Sequence, residues 1–191
     1  MFCDFHTHNA TPAEQVLKLV SAAELPAERL PGVFFALELH PWELPETFSG
    51  LPASFLAQIP RADAIGEVGL DRLKGPSLEV QRQYLRAILQ VAADCRKPVV
   101  FHCVRAFPEL LAEVKPFPHI RKLLHGFQGN EAKRRMMQEA GFFLSSSRAL
   151  LPGGGLETDA AELSIQEVYA RCQAEQHTAE LEDRFLRFLK G

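Results

Sequence analysis

Short apolar runs rich in β-branched and aromatic residues recur along the chain, and between them apolar positions repeat at helical spacing. That alternation is the mark of successive strand-helix units and a parallel sheet. The strand pattern falls on residues 2–6, 33–39, 62–67, 98–103, 121–125, 141–146 and 154–158. An eighth run at 16–20, VLKLV, is too short for its period to separate a strand from one turn of helix. Helices are read from face and cap together. Gln81, Tyr84, Leu85, Ile88, Leu89, Ala92 and Cys95 share one face of a segment that opens at Ser77 and stops at Lys97-Pro98. Asn130 opens a second helix through Ala140, closed by Gly141, a residue able to take the left-handed conformation past a helix end. Ser164 and Glu167 form a capping box for a third through Ala174, and Thr178 opens the last, through Leu181, Phe185, Leu186 and Leu189.

Such a chain closes either as an open doubly wound sheet or as a barrel. The phosphate-binding fingerprint G-x-G-x-x-G of the open sheet is missing, and Gly153-Gly154-Gly155 leads into no helix that could receive a phosphate. The barrel is favoured. Eight units in 191 residues leave about 24 residues each, close to the minimum for a strand, a helix and two short loops. The expectation is a single domain over residues 1–191 of the α/β class, a compact TIM-type (β/α) barrel, distorted or missing some helices and possibly one strand unit. Residues 147–154 leave room for a turn and no helix, and the stretch from His8 to Val33 holds one unit at most.

Hydrophobic residues make up 47% and charged residues 24%, ordinary values for a soluble globular domain that exclude disorder and fibrous repeats. The 21 Lys+Arg against 24 Asp+Glu give a formal charge of -3, which argues against a broad basic face for duplex nucleic acid. A nucleic-acid substrate then needs positive charge from another source. No run approaches the roughly 20 apolar residues of a membrane helix, and the start MFCDFHTHNA lacks the regions of a signal peptide. The expected address is the cytoplasm, with no membrane partner. Cys3, Cys95, Cys103 and Cys172 include no C-x-x-C pair and read as reduced thiols.

Of seven histidines, five stand at or just past the end of a predicted strand: His6, His8, His40, His102 and His125. Glu67 and Asp159 also end strands. In parallel barrels those ends form the rim that carries the active site. Any one histidine could be a core or surface residue satisfied by a backbone partner, but five with two carboxylates make a ligand set for divalent metals. His6 and His8 project to the same side of an extended segment and can meet one ion. Gly66 and Gly69 bracket Glu67 and permit close backbone approach, although a helix cap or a structural ion pair would also suit an acid there. Arg105, three residues beyond His102, is either a phosphate contact or a solvated cation.

These residues lie in seven segments: 4–8 (DFHTH), 39–42 (LHPW), 64–71 (AIGEVGLD), 98–106 (PVVFHCVRA), 125–127 (HGF), 144–145 (LS) and 156–160 (LETDA). In that order the chain resembles the TatD-type metal-dependent hydrolases and deoxyribonucleases, part of the amidohydrolase-like barrel group. The resemblance implies two divalent ions, Zn, Mn, Mg or similar, the first held by His6, His8, Glu67 and Asp159 and the second by Glu67 as bridge, His102 and His125. The chain departs from the family in compressed segments after the first motif and before the last. It also departs at Glu38 or Leu39, where a glycine is usual, and at 146–148 (SSR), where a phosphate-lining glycine is more typical.

The reading that follows is a metal-dependent hydrolase of phosphodiester bonds, a TatD-like deoxyribonuclease acting on DNA ends or a small nucleotide through a hydroxide activated by two metals. Glu67 and Asp159 are the catalytic carboxylates, Asp159 accepting the proton of the attacking water. Arg105 and His40 are the substrate-binding candidates, aimed at non-bridging phosphate oxygens. Two dications set against Glu67 and Asp159 leave about +2 at the rim, the charge the surface lacks. No stable protein partner is implied. Two alternatives stay open at this point. One is an amidohydrolase or esterase acting on C–N or C–O bonds, since the same hydroxide attacks a carbonyl carbon. The other is a non-catalytic metal-binding relative, against which the full ligand set counts, because a purely structural site tends to be closed and four-coordinate.

Overall fold

The computed structural model describes residues 1–159 and 162–191, so Ala160, the last residue of the 156–160 motif, lies outside the described residues. Eight parallel strands follow one another round the sheet in chain order: β1 (Phe2–Thr7), β2 (Val16–Ala22), β3 (Val33–Leu37), β4 (Ala64–Asp71), β5 (Val99–Val104), β6 (Lys122–Leu124), β7 (Phe142–Ser146) and β8 (Gly155–Leu156). The barrel is nearly closed by an isolated parallel bridge between Thr7 of β1 and Asp159, just past β8, where the Asp159 N–H donates to the His6 carbonyl at 2.9 Å. The TIM-type barrel expected from the pattern is therefore present, with one correction. No strand unit is lost, because the ambiguous run at 16–20 is a strand, buried from Val16 to Ser21 and paired on both edges.

The shortening falls on the helices instead. Among the described residues the links 8–15, 23–32 and 147–154 carry none, although a parallel crossover ordinarily takes a dozen residues or more, usually a helix. In the first of these links a lysine does part of a helix's work. Lys18, buried on β2, donates from Nζ to the carbonyls of Asn9 and Thr11 at 3.3 and 2.9 Å and ties the link back onto the barrel.

The helices are α1 (Ala53–Gln58), α2 (Leu78–Asp94), α3 (Phe107–Val114), α4 (Glu131–Glu139), α5 (Ile165–Arg171) and α6 (Thr178–Lys190). Ser77 and Asn130 cap α2 and α4 by accepting from the Val80 and Lys133 N–H groups, and the Ser164–Glu167 capping box opens α5. α5 stops at Arg171, short of the Ala174 expected from the sequence. α6 buries Leu181, Phe185, Phe188 and Leu189, with the Phe185 ring edge-on to Phe5 of β1 at 5.3 Å. Each such side chain contributes about 1.5–3 kcal/mol of burial.

β4 carries the main difference in strand boundaries. It runs four residues past the expected end, all eight positions are buried, and Glu67 stands inside the strand rather than at its tip. Its pairing with β5 shifts register between Ile65 and Val68, across Gly66 and Glu67. The flanking glycines make the close pairing possible: a Cβ on Gly66 would lie 2.4 Å from the Val100 carbonyl oxygen, and one on Gly69 only 2.0 Å from that of His102. At φ of +143° and +150° both occupy backbone that side chains rarely tolerate.

Candidate metal centre

The closed barrel brings the scattered histidines round one carboxylate. His6 is on β1 and His8 just past it, His40 lies beyond β3, Glu67 on β4, His102 on β5, His125 just past β6, and Asp159 where β8 meets β1. Seven of the eight residues singled out from the sequence converge here. Glu67, only 3% exposed, divides its neighbours between its two oxygens. Oε1 lies 2.6 Å from His125 Nε2, 2.7 Å from His102 Nδ1 and 3.2 Å from His40 Nε2. Oε2 lies 3.3 Å from His6 Nε2 and 3.4 Å from His8 Nε2. Asp159 Oδ1 joins the second group at 3.5 Å from His6 Nε2 and 3.9 Å from His8 Nε2.

Three overlapping sets have donor atoms within 4.8 Å of one another: His6, His8 and Glu67; His6, His125 and Asp159; and His40, Glu67 and His102. The donor chemistry fits divalent cations. His6 is wholly buried, its Nδ1 is 3.3 Å from Ser21 Oγ, and its Nε2 faces both carboxylates with no hydrogen-bond partner. Burial opposes a charge on this ring, yet Asp159 and Glu67 raise it to about 10, so the field at that nitrogen calls for a cation. His125 is pushed down to about 4 by burial and by His6. Burial would raise Glu67, but His102, His125, His40 and His6 together hold it well below the usual carboxylate range.

His40 enters one of these sets, but its proton is placed for a different role. Its Nδ1 accepts the Trp42 backbone N–H at 3.3 Å, so a neutral His40 carries its proton on Nε2 and donates to Glu67 Oε1. Such a ring is a donor and a poor ligand. Arg105 is the residue that the structure leaves apart. It is exposed, with a left-handed backbone at φ 53°, and lines a neighbouring cavity of about 530 Å³ that meets the central one at His125. The central cavity, about 330 Å³, is lined by His8, Glu38, His40, Trp42, Glu43, Glu67, His102, His125 and Asp159.

Four acids were not assigned a role from the sequence. Asp71 accepts from Trp42 Nε1 at 2.6 Å and lies 3.1 Å from His102 Nε2. It shares a strand face with Glu67 at the period of two, which is the signal that could have found it. Glu157 is buried, accepts the Gly126 N–H and the Ser145 hydroxyl, and so steadies the turn beside His125. Burial pushes it up to about 7. Glu38 faces His8 Nδ1 at 3.9 Å and, like Glu43, lines the cavity. These acids reduce the expected surplus of about +2, since Glu43 on the cavity wall and Asp71 behind His102 add to Glu67 and Asp159, while burial raises Glu38 toward its neutral form. Positive charge at the mouth comes from side chains instead: Lys74 Nζ sits 3.7 Å above the Trp42 ring, and Arg105 stands beside the next cavity.

Comparison with known proteins agrees with this geometry. A family profile described as TatD related DNase matches residues 6–170, a span that holds every residue of the cluster. The 3'-5' ssDNA/RNA exonuclease TatD of Citrobacter rodentium (strain ICC168) is 30% identical over 125 residues, 62% of this chain and 47% of that protein, so the chain spans about half the length of this curated relative. Among solved structures, the TatD homolog YjjV from Escherichia coli K12 superposes with a TM-score of 0.71 at 21% identity, covering 98% of this chain and 95% of that one. A TatD family hydrolase from Entamoeba histolytica gives 0.61 at 16% identity, over 76% of this chain and 64% of its own. With the profile covering most of the chain and the barrel shared, the chain belongs to the TatD related DNase family.

Proposed function

We propose that the chain is a single hydrolase domain over residues 1–191 that cleaves phosphodiester bonds at the ends of nucleic-acid strands, using two divalent ions bridged by Glu67. The observation that carries this reading is the division of the Glu67 carboxylate, with His102 and His125 on Oε1 and His6, His8 and Asp159 gathered about Oε2. His6, His8, Asp159 and Glu67 would hold the first ion, and Glu67, His102 and His125 the second. When bound, such ions lower the pKa of water toward neutrality and offset charge on a leaving oxygen. The chain's own groups do the rest. Asp159, with its side chain 43% exposed, is placed to accept a proton from the attacking water. His40 would share its Nε2 proton between Glu67 Oε1 and a phosphate oxygen, and Arg105 reaches the same phosphate from the adjoining cavity.

The relative's name points to a single strand attacked from its 3' end, and the exposed Trp42 with Lys74 at the mouth suits an unstacked base and its phosphate. All four cysteines are free, and among the described residues no helix is long and apolar enough to cross a membrane; we place the enzyme in the cytoplasm. The metal-loaded protein should shorten a 5'-labelled single-stranded oligonucleotide stepwise while leaving a panel of carboxylic esters and cyclic amides intact. Turnover of that panel with an intact oligonucleotide would move the enzyme to another class of hydrolase.

Arg105 gives a finer test. Arg105→Lys keeps the charge and loses the two-pronged donor, so kcat/KM on the oligonucleotide should fall about 10- to 200-fold, the equivalent of a charge-assisted hydrogen bond. Metal content should not change. A normal rate with normal metal removes Arg105 from the site.

A further inference from the structure

We infer that Asp71, held by the Trp42 indole, is a positioning residue that fixes the His102 ring as an Nδ1 metal ligand, and that Trp42 gives the two neighbouring histidines opposite roles. The inference rests on the reading of Glu67 and His102 as ligands. Asp71 is 3% exposed, and its main chain is clamped at both polar atoms by Gln81, whose Oε1 accepts the Asp71 N–H at 2.7 Å and whose Nε2 donates to the Asp71 carbonyl at 2.9 Å. Its carboxylate is equally fixed. Oδ1 accepts the Leu73 and Lys74 N–H groups at 2.7 and 3.2 Å, while Oδ2 accepts the Trp42 indole N–H at 2.6 Å. The remaining capacity of Oδ2 faces His102 Nε2 at 3.1 Å.

Both ring nitrogens of His102 face a carboxylate oxygen, Nε2 that of Asp71 and Nδ1 that of Glu67 at 2.7 Å. A cation on the Glu67 side would take the Nδ1 lone pair, and the proton the ring then keeps is the one on Nε2, which the ionised Asp71 can only accept. The same tryptophan keeps the proton of His40 on Nε2 as well, by donating its main-chain N–H to Nδ1, but in His40 it is this protonated nitrogen that faces Glu67 Oε1. One residue, through its indole and its main chain, thus separates a ligand from a donor that lie side by side, with ring centroids 4.8 Å apart. Trp42 is also the chain's single tryptophan. Its indole shares a carboxylate with His102, so its fluorescence should respond to a cation at the second site.

The test uses no substrate, so its outcome does not depend on what the enzyme cleaves. Asp71→Asn retains an oxygen for the Leu73 N–H but loses the second anionic acceptor. Trp42→Phe keeps an aromatic ring and loses only the indole donor. In wild type loaded with Zn, a diamagnetic ion, the 15N-edited imidazole spectrum should show His102 protonated on Nε2 and His40 likewise. Asp71→Asn should mix the His102 tautomers and weaken Mn binding, followed calorimetrically, by about 10- to 100-fold at one of two sites. Trp42→Phe should weaken the same site by a smaller factor and leave the other unchanged. Titrating Mn into wild type should change the Trp42 emission in step with the second site. If Asp71→Asn does not fold, the wild-type tautomers and the Trp42→Phe affinity decide. His102 protonated on Nδ1 in the Zn-loaded protein, or unaltered affinity in either folded variant, overturns the proposal.

Discussion

Glu67→Gln is expected to cut hydrolysis by several orders of magnitude and to cost the protein at least one bound ion per chain while the barrel stays folded. The amide fills the same space among five imidazoles, so packing changes little. What is lost is the negative charge and one of two acceptor oxygens, and with them, among the described residues, the only carboxylate whose two oxygens face both groups of histidines. A group that serves both ions removes the positioning and the charge compensation of both when neutralised. Its effect should therefore exceed that of losing a ligand on one side. Elemental analysis and far-UV circular dichroism on the same preparation separate the two parts of the expectation. If the folded variant still binds two ions, Glu67 is not the bridge.

Gly69→Ala should have the largest effect on stability. The β4–β5 pair that carries Glu67 and His102 brings the Gly69 backbone so close to β5 that an added Cβ would lie 2.0 Å from the His102 carbonyl oxygen. A carbonyl held in a strand ladder cannot yield as the end of a flexible side chain can. Backbone strain of about 1–3 kcal/mol at this φ and overpacking of a similar size make about 2–6 kcal/mol, a large share of the ~5–15 kcal/mol that holds a domain folded. Gly50→Ala is the control: its φ is +105° and an added Cβ meets nothing within 4 Å, so it carries the strain without the collision. Thermal melts of the two variants should differ clearly, with Gly69→Ala the lower or unable to fold. Coincident melts would show that β5 gives way easily.

The parts of the fold that the sequence revealed are those governed by local chemistry. Ser77, Asn130 and the Ser164–Glu167 box bond to their own helix ends, so their meaning lies within four residues of chain. α1 and α3 lack such signals: neither has a side-chain cap, and α1 is six residues long with Phe55 alone buried. The run at 16–20 was ambiguous because a strand buried on both faces is apolar at nearly every position and shows no period. Lys18 within it made the pattern less clear still, since the carbonyls that satisfy its ammonium belong to the preceding link.

At the site, residue type and strand position were enough to bring His6, His8, His40, His102, His125 and Asp159 together, because the ends of parallel strands share one rim, while Glu67 reaches them from inside β4. The pattern did not show what stands behind and beside them. Asp71 matters through His102, 31 residues away, and Glu157 through Gly126 and Ser145, and such partners are set by how the closed barrel brings its links together. Arg105 marks the opposite limit. Three residues after a histidine is near in sequence, yet a left-handed turn directs it to the next cavity.

The most direct measurement is metal content and oligonucleotide hydrolysis on one preparation, taken as purified, after exhaustive chelation, and after add-back of Mn, Mg, Zn or Co. Two ions per chain should accompany activity, chelation should abolish both, and different cations should restore turnover to different extents because His-and-carboxylate sites bind several of them and geometry selects which one works. Phosphodiester cleavage that survives complete removal of metal would contradict the account.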